Sequence, residues 1–117
     1  MNRALFLSLL MAFPVWAAAA EKGYFGVRPS VEVDGFFFNP IVQSATIQAL
    51  TPQSPAAKSS MAVGDQFIEV GGQKVAGSEA SALKALLSKP VGESLRFVLK
   101  KPDGTVYSVV LVAAPRP

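Results

Sequence analysis

Glycine- and proline-centred breaks cut this chain into pieces too short for anything but strands, with one exception, and that punctuation limits the fold more than any other feature. Asp34-Gly35 is a hairpin signal, Gly71-Gly72 and Pro102-Asp103-Gly104 are turn sequences, and Pro90 ends a helical pattern. Between these breaks, GYFGVRPSVEV is apolar and β-prone, and FFFNPIVQSATIQAL returns as a second extended stretch interrupted at Asn39-Pro40. DQFIEVGGQKV reads as a strand with Phe67 and Glu69 on one face and Ile68 and Val70 on the other. In ESLRFVLKKPDGTVYSVVLV, Leu95, Phe97 and Leu99 alternate with Arg96, Val98 and Lys100, and the proline turn folds the stretch into a second hairpin. The exception is SEASALKALLSKP. There Ser78 is the expected N-cap, Glu79 lies in the first turn, Lys89 lies near the end, and Leu83, Leu86 and Leu87 form one apolar face.

The 117 residues suffice for one ordinary domain. Residues 1–20 join a basic start at Arg3 to an apolar run from Ala4 to Trp16 and small residues at Ala18 and Ala20, the pattern of a cleavable signal peptide. The run is broken by Pro14 and falls short of the roughly 20 residues that span a bilayer. The mature chain is therefore expected to start at Glu21, with an ordered core over about 23–113, and to be periplasmic or secreted with no membrane insertion.

Cysteine and histidine are both absent, which removes disulfides, Ser-His-Asp triads, Cys-His pairs and zinc sites built on imidazole or thiolate. The net charge of +3 includes Arg3, and no basic run points to nucleic acid. The carboxylates of Glu32, Asp34, Asp65, Glu69, Glu79, Glu93 and Asp103 stand singly, and are read as solvated surface and turn chemistry. No cofactor and no metal are expected.

One stretch still gathers hydroxyls, a lysine and a carboxylate: SPAAKSSMAVGD, Ser54 to Asp65. Pro55 suits a first helical position and Ser54 the N-cap before it, accepting from the N–H of Ala56 or Ala57. Lys58 then lies on the outer side of a one- or two-turn helix, where nothing desolvates its amine. The stretch reads as scaffold, not as a Ser-Lys nucleophile, and no catalytic residue is assigned.

The longer segment ATIQALTPQSPAAKSSMAVGDQFIEVGGQKV resembles the middle of a PDZ domain. It carries Ser54-Pro55-Ala56, the Gly64-Asp65 step, the strand Phe67 to Val70, and Gly71-Gly72 where the family commonly has Asn-Gly. YFGV, Tyr24 to Val27, is similar to the family's carboxylate-binding loop. The resemblance covers essentially Gly23 to Ala113. It implies an α+β fold: a single domain over residues 21–117, a partly open antiparallel β-barrel or sandwich of five to six strands capped by two helices. Only Glu21, Lys22 and Gly23 precede the loop, so it further implies the circularly permuted layout of bacterial PDZ domains, as in periplasmic high-temperature-requirement serine proteases. In that layout Thr105 to Val112 supplies the missing strand.

Carried over, the family's chemistry implies capture of a protein or peptide C-terminus, or of an extended segment, by the loop Tyr24, Phe25, Gly26 and Val27, through the backbone amides of Phe25, Gly26 and Val27. The groove would be formed by Arg28 and Pro29 on the strand and by Ser81, Ala85 and Leu86 on the helix. Pro29 departs from the pattern, because the family pairs its ligand through an N–H at this position and proline has none. The alternative is a structural docking domain of an envelope assembly with a silent groove. Its contact would be the tip Phe36-Phe37-Phe38, since three consecutive phenylalanines cannot all face one core.

Overall fold

A computed structural model describes residues 21–35 and 40–116. Residues 1–20, read above as an expected signal peptide, and the Phe36 to Phe38 tip lie outside the described residues. Six strands form one antiparallel open sheet: β1 (Val27–Asp34), β2 (Ile41–Leu50), β3 (Gln66–Val70), β4 (Gln73–Lys74), β5 (Ser94–Lys100) and β6 (Val106–Val112). Their order is β1-β2-β3-β5-β6, with β4 paired only to β3. A single helix, α1 (Ala80–Leu86), is found among the described residues. This is the expected α+β architecture.

Alternation is cleanest in β5, where Leu95, Phe97 and Leu99 are buried and the intervening side chains are not. Phe97 and Leu99 are fully enclosed, and the Phe97 ring stands edge-on to Phe25 at 5.7 Å between centroids. Such pairs prefer this geometry because the positive ring edge meets the negative face of its neighbour.

The face assignment in β3 needs correction. Phe67 and Val70 are both buried, while Ile68 and Glu69 are only half-buried. Phe67 pairs with Leu99 and Glu69 with Val98, so Ile68 is an extra residue without a partner on β5. This bulge shifts the alternation by one and turns both Phe67 and Val70 inward. Two similar interruptions lie in β2, where Gln43 and Gln48 are skipped in the pairing with β1. The first lets Val42 and Ala45, three residues apart, face the same core.

Two capping expectations part company. Ser54 does accept from the Ala57 N–H at 3.1 Å, but Ser54 to Ser59 forms a hydrogen-bonded turn instead of a second helix. Ser78 does not cap α1. Its hydroxyl donates to the Lys74 carbonyl and accepts from Gln73 Nε2, and the N-cap position falls to Glu79, whose side chain makes no cap. The first helical N–H, that of Ala80, instead donates to the Pro40 carbonyl at 2.9 Å. A backbone acceptor from the start of β2 thus does what a capping side chain does elsewhere, and fixes the helix against the sheet.

Asp65 corrects the reading of its carboxylate as solvated: it is 2% exposed. Its carboxylate accepts from the Tyr107 hydroxyl and from the Ala62 N–H, and Lys101 Nζ lies 3.5 Å away above the Tyr107 ring. Burial, then hydrogen bonding to Asp65, raises the Tyr107 phenol well above its ordinary value. The phenol therefore contributes stability that is present below its unfolded value of about 10 and is lost as pH rises further. The network ties the Gly64-Asp65 step to β6.

Candidate functional site

The site is built where the chain enters the sheet. Tyr24 exchanges two backbone hydrogen bonds with Ala114, at 2.9 and 3.0 Å, just beyond the end of β6, and Gly23 N–H donates to the Lys89 carbonyl. Phe25 then inserts its ring into the core, which turns the backbone at Gly26 outward. Gly26 has φ +86°, and a Cβ added there would stand 2.0 Å from the Cβ of Ser54. Glycine is required on both counts.

The carbonyls of this loop are tied inward. Phe25 O accepts from the Ala56 N–H at 2.9 Å and Gly26 O from the Thr51 N–H at 2.7 Å. Ser54, fully enclosed, fills the space beneath Gly26. The Ser54-Pro55-Ala56 turn is thus the platform on which the loop rests. With its oxygen used for Ala57 and its surface sealed, Ser54 is not placed as a nucleophile beside the exposed Lys58.

With the carbonyls held inside, the amides are left over. Among the described residues, neither the Phe25 nor the Gly26 N–H donates to a protein acceptor. The loop opens onto a cleft of about 390 Å³, lined by Tyr24, Phe25, Gly26 and Val27 together with Arg28 and Pro29. Lys22, Lys84 and Arg116 also reach it, and among the described residues no carboxylate side chain lines it. The Arg116 guanidinium lies 5.7 Å from the Tyr24 ring centroid, a cation over an aromatic face.

A second, apolar cleft of about 260 Å³ continues along β1. Its walls are Pro29 and Val31 on the strand and Ala80, Leu83, Lys84 and Leu87 on the helix side; Phe67, Val70 and Phe97 form its floor. The two clefts share Pro29, Lys84 and Leu87 and so make one groove. Among the described residues no strand lies beside the far edge of β1, and Val31 and Val33 remain 43% and 48% exposed there.

The loop residues and Arg28 and Pro29 come together as expected from sequence. The helix positions fall out of phase: Ser81 and Ala85 are exposed and line neither cleft, and Leu86 lies toward Gly71. The groove-facing stripe is Ala80, Leu83, Lys84 and Leu87, the i, i+3, i+4, i+7 set of one helix face. Lys22, Lys84 and Arg116 were not legible as site residues, because they come from three separate elements and no local motif joins them.

The sequence profile of the PDZ domain family matches residues 16–100. The chain belongs to the PDZ family. Among solved structures it is similar to the PDZ domain of a carboxy-terminal protease from Vibrio cholerae in complex with peptide, at 22% identity and a TM-score of 0.58, covering 80% of this chain and 94% of that one. It is also similar to a photosystem II D1 C-terminal processing protease, at 22% identity and a TM-score of 0.62, covering 89% of this chain and 27% of that one. A serine endoprotease from Yersinia pestis matches at 15% identity and a TM-score of 0.61, covering 92% and 34%. The chain thus spans about a third or less of the two whole proteases, and at these identities the likeness is one of fold. No curated protein matches the sequence.

Proposed function

We propose that this chain is an exported, non-catalytic peptide-binding module that captures C-termini or extended segments of envelope proteins. One observation carries the reading: the Phe25 and Gly26 amides, without acceptors among the described residues, are aimed by a fixed loop into a cleft lined by cations. Backbone N–H groups converging on a carboxylate give charge-assisted bonds of roughly 1.5 to 3 kcal/mol each. The apolar cleft beyond the loop and the free edge of β1 supply room for the preceding residues of an extended ligand. A strand in this position would lie between β1 and α1. The bonding of Tyr24 to Ala114 beyond β6 is what a permuted layout would need.

Pro29 favours the second reading, a docking domain with a silent groove, because it removes one N–H from the β1 edge and edge prolines discourage strand addition. The two readings separate in one titration. A peptide with a free C-terminus should shift the Phe25 and Gly26 amide signals, and its amidated twin should not. Pro29→Val should tighten binding by about 0.5 to 1.5 kcal/mol, the net worth of one hydrogen bond. If free and amidated peptides behave alike in both proteins, capture fails and the docking domain replaces it.

Export rests on the signal pattern of residues 1–20. The protein recovered from the periplasm or medium should have the intact mass of a chain beginning at Glu21. Full-length mass in a membrane fraction would overturn export of a cleaved chain.

A further inference from the structure

We infer that the groove selects ligands whose next-to-last residue is acidic, with Arg28 as the side chain that reads it; this rests on the capture reading above. Four cations, Lys22, Arg28, Lys84 and Arg116, line the loop cleft, and among the described residues no carboxylate side chain does. All four are exposed, and among the described residues none lies within ion-pair distance of a carboxylate. Elsewhere the chain does pair its charges where they matter to the fold, as Lys101 does with Asp65. One terminal carboxylate would neutralise only part of the field at the loop. A ligand with a second negative charge matches the remainder, and like charges gathered without counter-ions attract such a ligand from a distance.

The register of a sheet says where that second charge belongs. A ligand strand laid antiparallel along β1, with its carboxylate at the Phe25 and Gly26 amides, sets its last residue opposite Val27 and its next-to-last residue opposite Arg28. Residues directly opposite on neighbouring strands project to the same face, close enough for opposite charges to interact. Arg28 pairs with Ala49 on β2, a small neighbour that leaves its guanidinium uncontested. Lys84, across the groove on α1, lines both clefts and adds to the positive field that an acidic ligand approaches. Pro29 and Val31 face α1, so Arg28 and the ligand residue opposite it project from the other face of β1, where an acidic side chain meets the Arg28 guanidinium and a basic one meets only repulsion.

The test uses three peptides with free C-termini that differ only in the next-to-last residue, Glu, Gln or Lys, each with a bulky apolar residue upstream, titrated into the isotopically labelled protein at low salt. The Glu peptide should bind about three- to fivefold more tightly than the Gln peptide, the upper part of the range of one exposed charge pair, and the Lys peptide more weakly still. In Arg28→Gln the preference for Glu over Gln should shrink to within about twofold, while the difference between free and amidated termini persists. If all three peptides shift the Phe25 and Gly26 amides with equal affinity, acidic selection fails and carboxylate capture stands. If the preference survives unchanged in Arg28→Gln, Arg28 is not its reader and the assignment is overturned. If none of the three moves those amides, the capture reading fails and takes this inference with it.

Discussion

Gly26→Ala should lower the stability of the protein by about 2 to 5 kcal/mol, a large share of what a domain of this size possesses. Two costs add. The backbone sits at φ +86°, where an L-residue with a Cβ is disfavoured by roughly 1 to 2 kcal/mol. The new methyl would also stand 2.0 Å from Ser54 Cβ and 2.1 Å from its Oγ, so one of two tightly anchored segments must move, and overpacking of this kind costs about 1 to 3 kcal/mol. Denaturant midpoints of the parent, Gly26→Ala, Ser54→Gly and the double variant would form a cycle. Removing the Ser54 side chain should recover the steric part and leave the backbone part. A loss below about 1 kcal/mol in Gly26→Ala would show that the loop can move off its platform, contrary to the geometry described.

Phe97→Ala should cost about 3 to 5 kcal/mol, for a different reason. Its ring is fully buried, stands edge-on to Phe25 and lies 6.2 Å from Phe67. Truncation removes apolar area and leaves a void that three separate elements would have to close. Because the ring also floors the apolar cleft, the void would open into the groove. Chemical denaturation measures the loss, and the Phe25 amide signal reports whether the loop moves with it. A loss of less than about 1.5 kcal/mol would mean that the core repacks around the deletion.

The parts of the fold that could be read from sequence are those where one local rule acts alone. β5 declares itself because one face is buried along its whole length. The hairpin turns declare themselves through glycine and proline. The Ser54 cap was legible because its partner lies three residues away. β3 was misread because a bulge at Ile68 adds a residue without changing composition, and a period-two pattern cannot show it. The capping of α1 was misread because Ala80 finds its acceptor at Pro40, which is remote in sequence. The groove-facing side of α1 was out of phase because Leu86 and Leu87 are adjacent, so apolar character alone does not say which one turns to the strand. Asp65 looked like any turn carboxylate until Tyr107, from the far end of the chain, arrived above it. Electrostatics of the loop cleft was the least legible feature, since Lys22, Arg28, Lys84 and Arg116 meet only after folding.

The two tethered carbonyls of the loop bear on time as well as affinity. With Tyr24 O held by the Ala114 N–H and Phe25 O by the Ala56 N–H, the Phe25 and Gly26 amides on the other side of the same peptide units are oriented before any ligand arrives. No segment has to order itself during an encounter, so loop folding does not slow association, and cations at the mouth would hasten it. Differences among ligands of such a receptor would then appear in how long each one stays.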